Sequence, residues 1–91
     1  MANYIIPVAG KHDLHRQVKC RGRVWTDDEL EAMLGADFEV MILKSDDRIY
    51  VEKGWDTDDP SVPVNSTATS LADVRIKGSA LVCGEHECRK S

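Results

Sequence analysis

The sequence predicts an α+β domain: a mostly antiparallel sheet with one short helix, residues 27–34, packed on one face. Three observations lead there. Thr26-Asp27-Asp28-Glu29 is a capping box, and it opens the clearest helical period in the chain. Several short segments alternate apolar and polar residues with the period of a strand. An apolar-rich segment over 38–43 and an alternating one over 48–52 flank Ser45-Asp46-Asp47, a turn by composition. Ninety-one residues suffice for one small domain, read here as residues 1–84 with a polar tail over 85–91.

Each element has its own reason. Residues 3–8 carry β-formers and make a first strand, with Pro7 marking a sheet edge or the strand's end. Residues 9–15 read as a polar loop opened by Gly10. From 17 to 25 the chain alternates, with Val18, Cys20, Gly22 and Val24 on one face and Lys19, Arg21 and Arg23 on the other; this predicts a half-buried strand with a basic outer face. In the helix, the Thr26 hydroxyl takes the Glu29 amide, and three acidic residues meet the positive end of the dipole. Leu30, Met33 and Leu34 give the apolar face, and Gly35 stands where a left-handed terminating residue is wanted. Phe38-Glu39-Val40-Met41-Ile42-Leu43 predicts a central strand covered on much of both faces, returning through 48–52 as a hairpin. Residues 54–63 form a Gly- and Pro-bracketed loop. Asn65 can cap one or two helical turns through Ala68 and Leu71, in which case Asn65→Ala costs about 1 kcal/mol as an ordinary lost cap. Residues 74–77 alternate, Gly78 interrupts, and 80–83 close a last strand.

Composition excludes several functions. Hydrophobic residues at 42% and charged ones at 31% are too rich in core-formers for a disordered chain. A net charge of -4 has the wrong sign for binding nucleic acid by charge alone. No basic leader precedes an apolar run and no stretch is apolar enough to span a membrane, so a cytoplasmic location is expected, in keeping with an odd count of three cysteines.

Glu29-Leu30, Leu34-Gly35 and Phe38-Glu39-Val40, followed by a hairpin, by Pro63-Val64-Asn65-Ser66-Thr67-Ala68-Thr69 and by Ile76-Lys77-Gly78-Ser79-Ala80-Leu81-Val82-Cys83-Gly84, form a pattern. It resembles a domain-of-unknown-function family of small phage, prophage and plasmid proteins. That family has a short helix ending in glycine, a glutamate-bearing strand, a P-x-N-x-x-A-T segment and an I-x-G-x-A-x-V-x-G last strand. The resemblance covers about two thirds of the chain. Gly35-Ala36 stands where members often have two glycines, and the basic segment Lys19 to Arg23 is outside the pattern. It implies a mobile-element origin and an accessory role, and it brings no chemistry with it.

The leading expectation is therefore a non-catalytic accessory protein that binds a host protein and modulates it, with no cofactor. One alternative is a protein that sequesters a nucleotide or similar anion on Arg21 and Arg23. Another is a zinc-stabilised module using Cys83, His86 and Cys88, with Cys20, His12 or His15 as a fourth ligand, although C-x-x-H-x-C is not a usual zinc spacing. Phosphate-cradling glycine loops and the serine elbow are missing, and His12-Asp13-Leu14-His15 has no H-E-x-x-H partner. Asp56-Thr57-Asp58-Asp59 begins like a calcium loop but meets Ser61 at the glycine place and Thr67 at the closing glutamate place. Trp55 among Asp56, Asp58 and Asp59 is either a lid over a thin core or an exposed anchor for a partner. Thr26, Glu29, Gly35, Asn65 and Gly78 are assigned structural work.

Overall fold

The computed structural model describes residues 2–8, 10, 12–84 and 86. In chain order the elements are β1 (Ala2–Ile6), β2 (Leu14–Val18), α1 (Asp27–Leu34), β3 (Glu39–Ile42), β4 (Arg48–Val51), α2 (Ser66–Ala72) and β5 (Ala80–Cys83). The five strands form one sheet in the order β2-β1-β5-β4-β3, with every neighbouring pair antiparallel. Two hairpins, β1–β2 and β3–β4, are joined through β5, which lies in the middle.

The helices lie on opposite faces. Strand alternation sends Ala2, Tyr4, Tyr50, Leu81 and Cys83 to one side, where they pack with Leu30 and Leu34 of α1 and with Cys20 and Trp25. Ile49, Val51 and Ala80 point to the other side and pack with Ala68 of α2, Ile76 and Leu43. One covered face was expected. The second is covered because Ile49, Tyr50 and Val51 are buried in sequence, as are Ala80 and Leu81, and consecutive strand residues cannot all face one helix. Leu30 and Leu34, withdrawn from water, contribute about 1.5–3 kcal/mol each.

Helix α1 has the expected bounds and cap. The Glu29 amide donates to Thr26 Oγ1 at 3.3 Å, and the Thr26 amide donates back to Glu29 Oε1 at 3.3 Å. Gly35 ends the helix, its amide donating to the Glu31 carbonyl at 2.8 Å, but at φ 91° and ψ 171° it is extended with positive φ and not in the left-handed helical conformation expected. The β3–β4 connection is residues 43–47, closed by the Leu43 amide donating to the Asp47 carbonyl, and Asp46 within it takes a left-handed position at φ 70°.

Three expectations are corrected. The strand expected over 17–25 is instead β2 over Leu14–Val18, so the loop read over 9–15 ends early and Leu14 and His15 pair with β1. Beyond Val18 the chain leaves the sheet. Cys20 turns into the core with its thiol donating to the Gly22 carbonyl at 3.2 Å, and Lys19, Arg21 and Arg23 lie on irregular, exposed backbone. The run expected to be a central strand, β3, is an edge, with Val40 42% and Ile42 66% exposed. The segment 74–77 contributes an isolated bridge, Val64 with Lys77, in place of strand pairing.

Asn65 is fully buried and caps α2, its Oδ1 accepting from the Ala68 amide at 3.0 Å. It does more than cap. Its Nδ2 donates to the Ile5 carbonyl at 3.1 Å and to the Gly78 carbonyl at 3.0 Å. Its own amide donates to the Ile76 carbonyl at 2.8 Å. Removing the side chain strands two buried carbonyls and an amide, so the value of an ordinary cap is too small. Asn65→Ala should lose about 2–4 kcal/mol of unfolding free energy in urea titration. Asn65→Asp keeps the acceptor without the donors and should also be well below wild type; wild-type midpoints for both would refute the role. Gly78 has φ 86°, and a Cβ there would lie 2.8 Å from Glu52 Oε2, the carboxylate whose other oxygen holds the Ser79 amide at 3.1 Å. Gly78→Ala should therefore lower the thermal midpoint by several degrees, about 1–2 kcal/mol.

Candidate functional site

The residues singled out in the loop after β4 are engaged in holding that loop. Trp55 is half-buried against the α2-side core, and its Nε1 donates to Glu39 Oε2 at 3.0 Å. Its carbonyl accepts from the Lys77 amide at 2.8 Å. Trp55 is thus a lid over the sheet. Asp59 Oδ1 accepts from the Ser61 amide at 2.9 Å and the Ser61 hydroxyl at 2.7 Å, and these bonds, with Lys77 nearby, hold its carboxyl below the ordinary value. Lys77 is buried and its Nζ donates to the Asp59 carbonyl at 2.9 Å. Asp58 pairs with Arg75 at 3.2 Å in full solvent, and Asp56 is exposed. Asp58 and Asp59 are thus engaged within the protein itself.

Arg21 and Arg23 are exposed. Arg21 lines a cavity of about 340 Å³ with Lys19, Trp25 and Glu29. Glu29 accepts the Arg21 amide at 2.9 Å, and that bond, with those from Thr26, lowers its pKa. An anion entering here would meet the Glu29 carboxylate as well as the basic side chains.

A second concavity, of about 500 Å³, runs between the β1–β2 connection and the start of α2, lined by residues including His12, Asp13, Val64 and Ser66. Beside it Asp13 Oδ2 accepts the Thr67 amide at 2.9 Å, and Thr67 Oγ1 lies 3.4 Å from His15 Nε2. Asp13 therefore serves α2 as a second cap, from 54 residues away in sequence. Sequence reading missed this, because no local pattern reports a cap supplied from another element. Among the described residues no group of three or more His, Cys, Asp and Glu side chains could hold a metal ion. Cys83 is buried in β5; Cys88, the third member of the zinc alternative, and most of the tail lie outside the described residues.

The β3 edge is a further exposed surface. Leu43 exchanges hydrogen bonds with the turn, its amide donating to the Asp47 carbonyl at 2.8 Å and its carbonyl accepting the Asp46 amide at 3.0 Å. Antiparallel alternation then turns the amides and carbonyls of Met41 and Glu39 toward β4, and those of Val40 and Ile42 outward. Ile42 also borders a groove of about 580 Å³ lined by Leu71 and Val74, which are 47% and 43% exposed. The elements that make this surface were legible in sequence, but its position at the edge of the sheet was not.

No protein-family model matches the chain, and neither a curated protein nor a solved structure does. Among the described residues no helix is long and apolar enough to cross a membrane.

The site's electrostatics give one pH test. Glu29 has its pKa lowered from 4.5 by hydrogen bonds that favour the charged form, so its contribution to stability is present above 4.5 and is lost as pH falls through the lower folded value. The stability gap between wild type and Glu29→Gln should be constant near neutrality and narrow on acidification below 4.5 in paired denaturation curves. A gap unchanged down to full protonation would count against the capping box as its origin.

Proposed function

We propose that this is a non-catalytic binding protein that takes an extended segment of a protein partner along β3 by strand addition. The observation that carries the reading is the edge itself: Val40 and Ile42 present apolar side chains and outward backbone groups together. In keeping with the resemblance to small phage, prophage and plasmid proteins, the protein is an accessory of a mobile element, acting in the host cytoplasm. Its partner is a host protein whose activity it modulates. The absence of catalysis in this reading is supported by where the titratable groups are committed: Asp13 to α2, Glu29 to α1, Asp59 to its own loop and Glu39 to Trp55.

The rival reading places a nucleotide or other anion on Arg21 and Arg23, and one experiment separates the two. Random peptides displayed on a library should be enriched, on selection against the protein, for alternating β-branched and apolar sequences. Their capture should be lost with Ile42→Lys and kept with Arg21→Gln/Arg23→Gln. Binders indifferent to Ile42→Lys, or dependent on the two arginines, would overturn the proposal.

A further inference from the structure

The sheet has two edges, and they are built differently. The β2 edge runs Leu14-His15-Arg16-Gln17-Val18 and then Lys19, a polar and charged strand of the sort that resists pairing. The β3 edge runs Glu39-Val40-Met41-Ile42, with no proline and no lysine within the strand. It is the unguarded one.

Its sequence is complementary to itself when reversed. Asp37 and Glu39 stand at the start, Lys44 just beyond the end, and three apolar residues between. Antiparallel pairing of two copies brings the basic end of each beside the acidic end of the other; parallel pairing would set like charges together. Registers are few. A two-fold axis perpendicular to the sheet pairs residues of the same face, and only Val40 and Ile42 carry outward backbone groups. Placing the axis at Met41 sets Val40 opposite Ile42 of the second copy, twice, so that the two exposed apolar side chains of the strand cover each other. It also sets Lys44 opposite Phe38, next to Asp37 and Glu39.

We propose that, until a partner's segment displaces it, the occupant of the β3 edge is β3 of a second copy, paired antiparallel about Met41 to make one continuous sheet from two domains. This rests on the reading of β3 as the contact edge and names what covers that edge in the free protein. A four-residue strand is short, so the interface falls at or below the ~1,200 Å² end of stable interfaces and the dimer is reversible.

Sedimentation equilibrium of the full chain, from about 1 µM to about 1 mM, should show a monomer–dimer equilibrium. Ile42→Lys should weaken it by roughly a hundredfold, because the change enters the interface twice, while Leu14→Lys on the other edge leaves it alone. Both positions are exposed, and circular dichroism melts should match wild type. Met41→Cys should form an intermolecular disulfide under mild oxidation, mapped by mass spectrometry, since paired residues at the axis lie within bridging distance. Val40→Cys should not. A dimer indifferent to Ile42→Lys, or cross-linked through Val40→Cys alone, would overturn the proposal. So would a monomer throughout. In that last case a synthetic peptide of residues 38–44 decides the fate of the edge reading: Ile42-dependent binding of the peptide keeps the edge and removes the second copy, and no binding removes both.

Discussion

Everything in this domain hangs on one buried side chain. Asn65 starts α2, and the same amide group reaches back to the carbonyl of Ile5 in β1 and forward to that of Gly78, two residues before β5. Three segments far apart in sequence are thereby fixed to one planar group with its donors and its acceptor satisfied. No apolar side chain could substitute, because each stranded carbonyl would be left dry in the interior. The left-handed backbone at Gly78 follows from this, as does its closeness to Glu52, since the chain has to present a carbonyl to Asn65 and then enter the sheet.

From that point the second layer is built outward. Lys77, next to Gly78, is buried and anchors the loop before α2 through the Asp59 carbonyl, and its amide holds the Trp55 carbonyl. Trp55 in turn ties the loop to Glu39 at the start of β3. Trp55, Asp59 and Lys77 thus brace the loop against the strand beside it.

How much of this was legible in the sequence depended on the range of the interaction. Thr26 and Glu29 are three residues apart, and the helix they start could be read to its end at Gly35. Asn65 could be read as a cap for the same reason, whereas its bonds to Ile5 and Gly78 span 60 and 13 residues and leave no local trace. The apolar run at 38–43 shows the opposite failure. A continuous apolar strand is normally a central one, because burial on both faces is what such a run ordinarily records. Here its sequence was right for a covered strand, and the domain alone supplies no cover. The basic segment misled through Gly22, where alternation continues on paper after the chain has left the sheet.

The sheet order has a consequence for how the molecule comes into being. The middle strand, β5, is the last element among the described residues, while the hairpins it joins are local and complete much earlier. Until β5 inserts, β1 and β4 are both open edges, and Asn65 has neither Gly78 nor a settled β1 to bond. Closure therefore waits on contacts between residues 3–5 and 80–82, nearly the whole chain apart. Such topology makes for slow, late-committing folding, with the half-built sheet most exposed to unwanted pairing just before the final strand arrives.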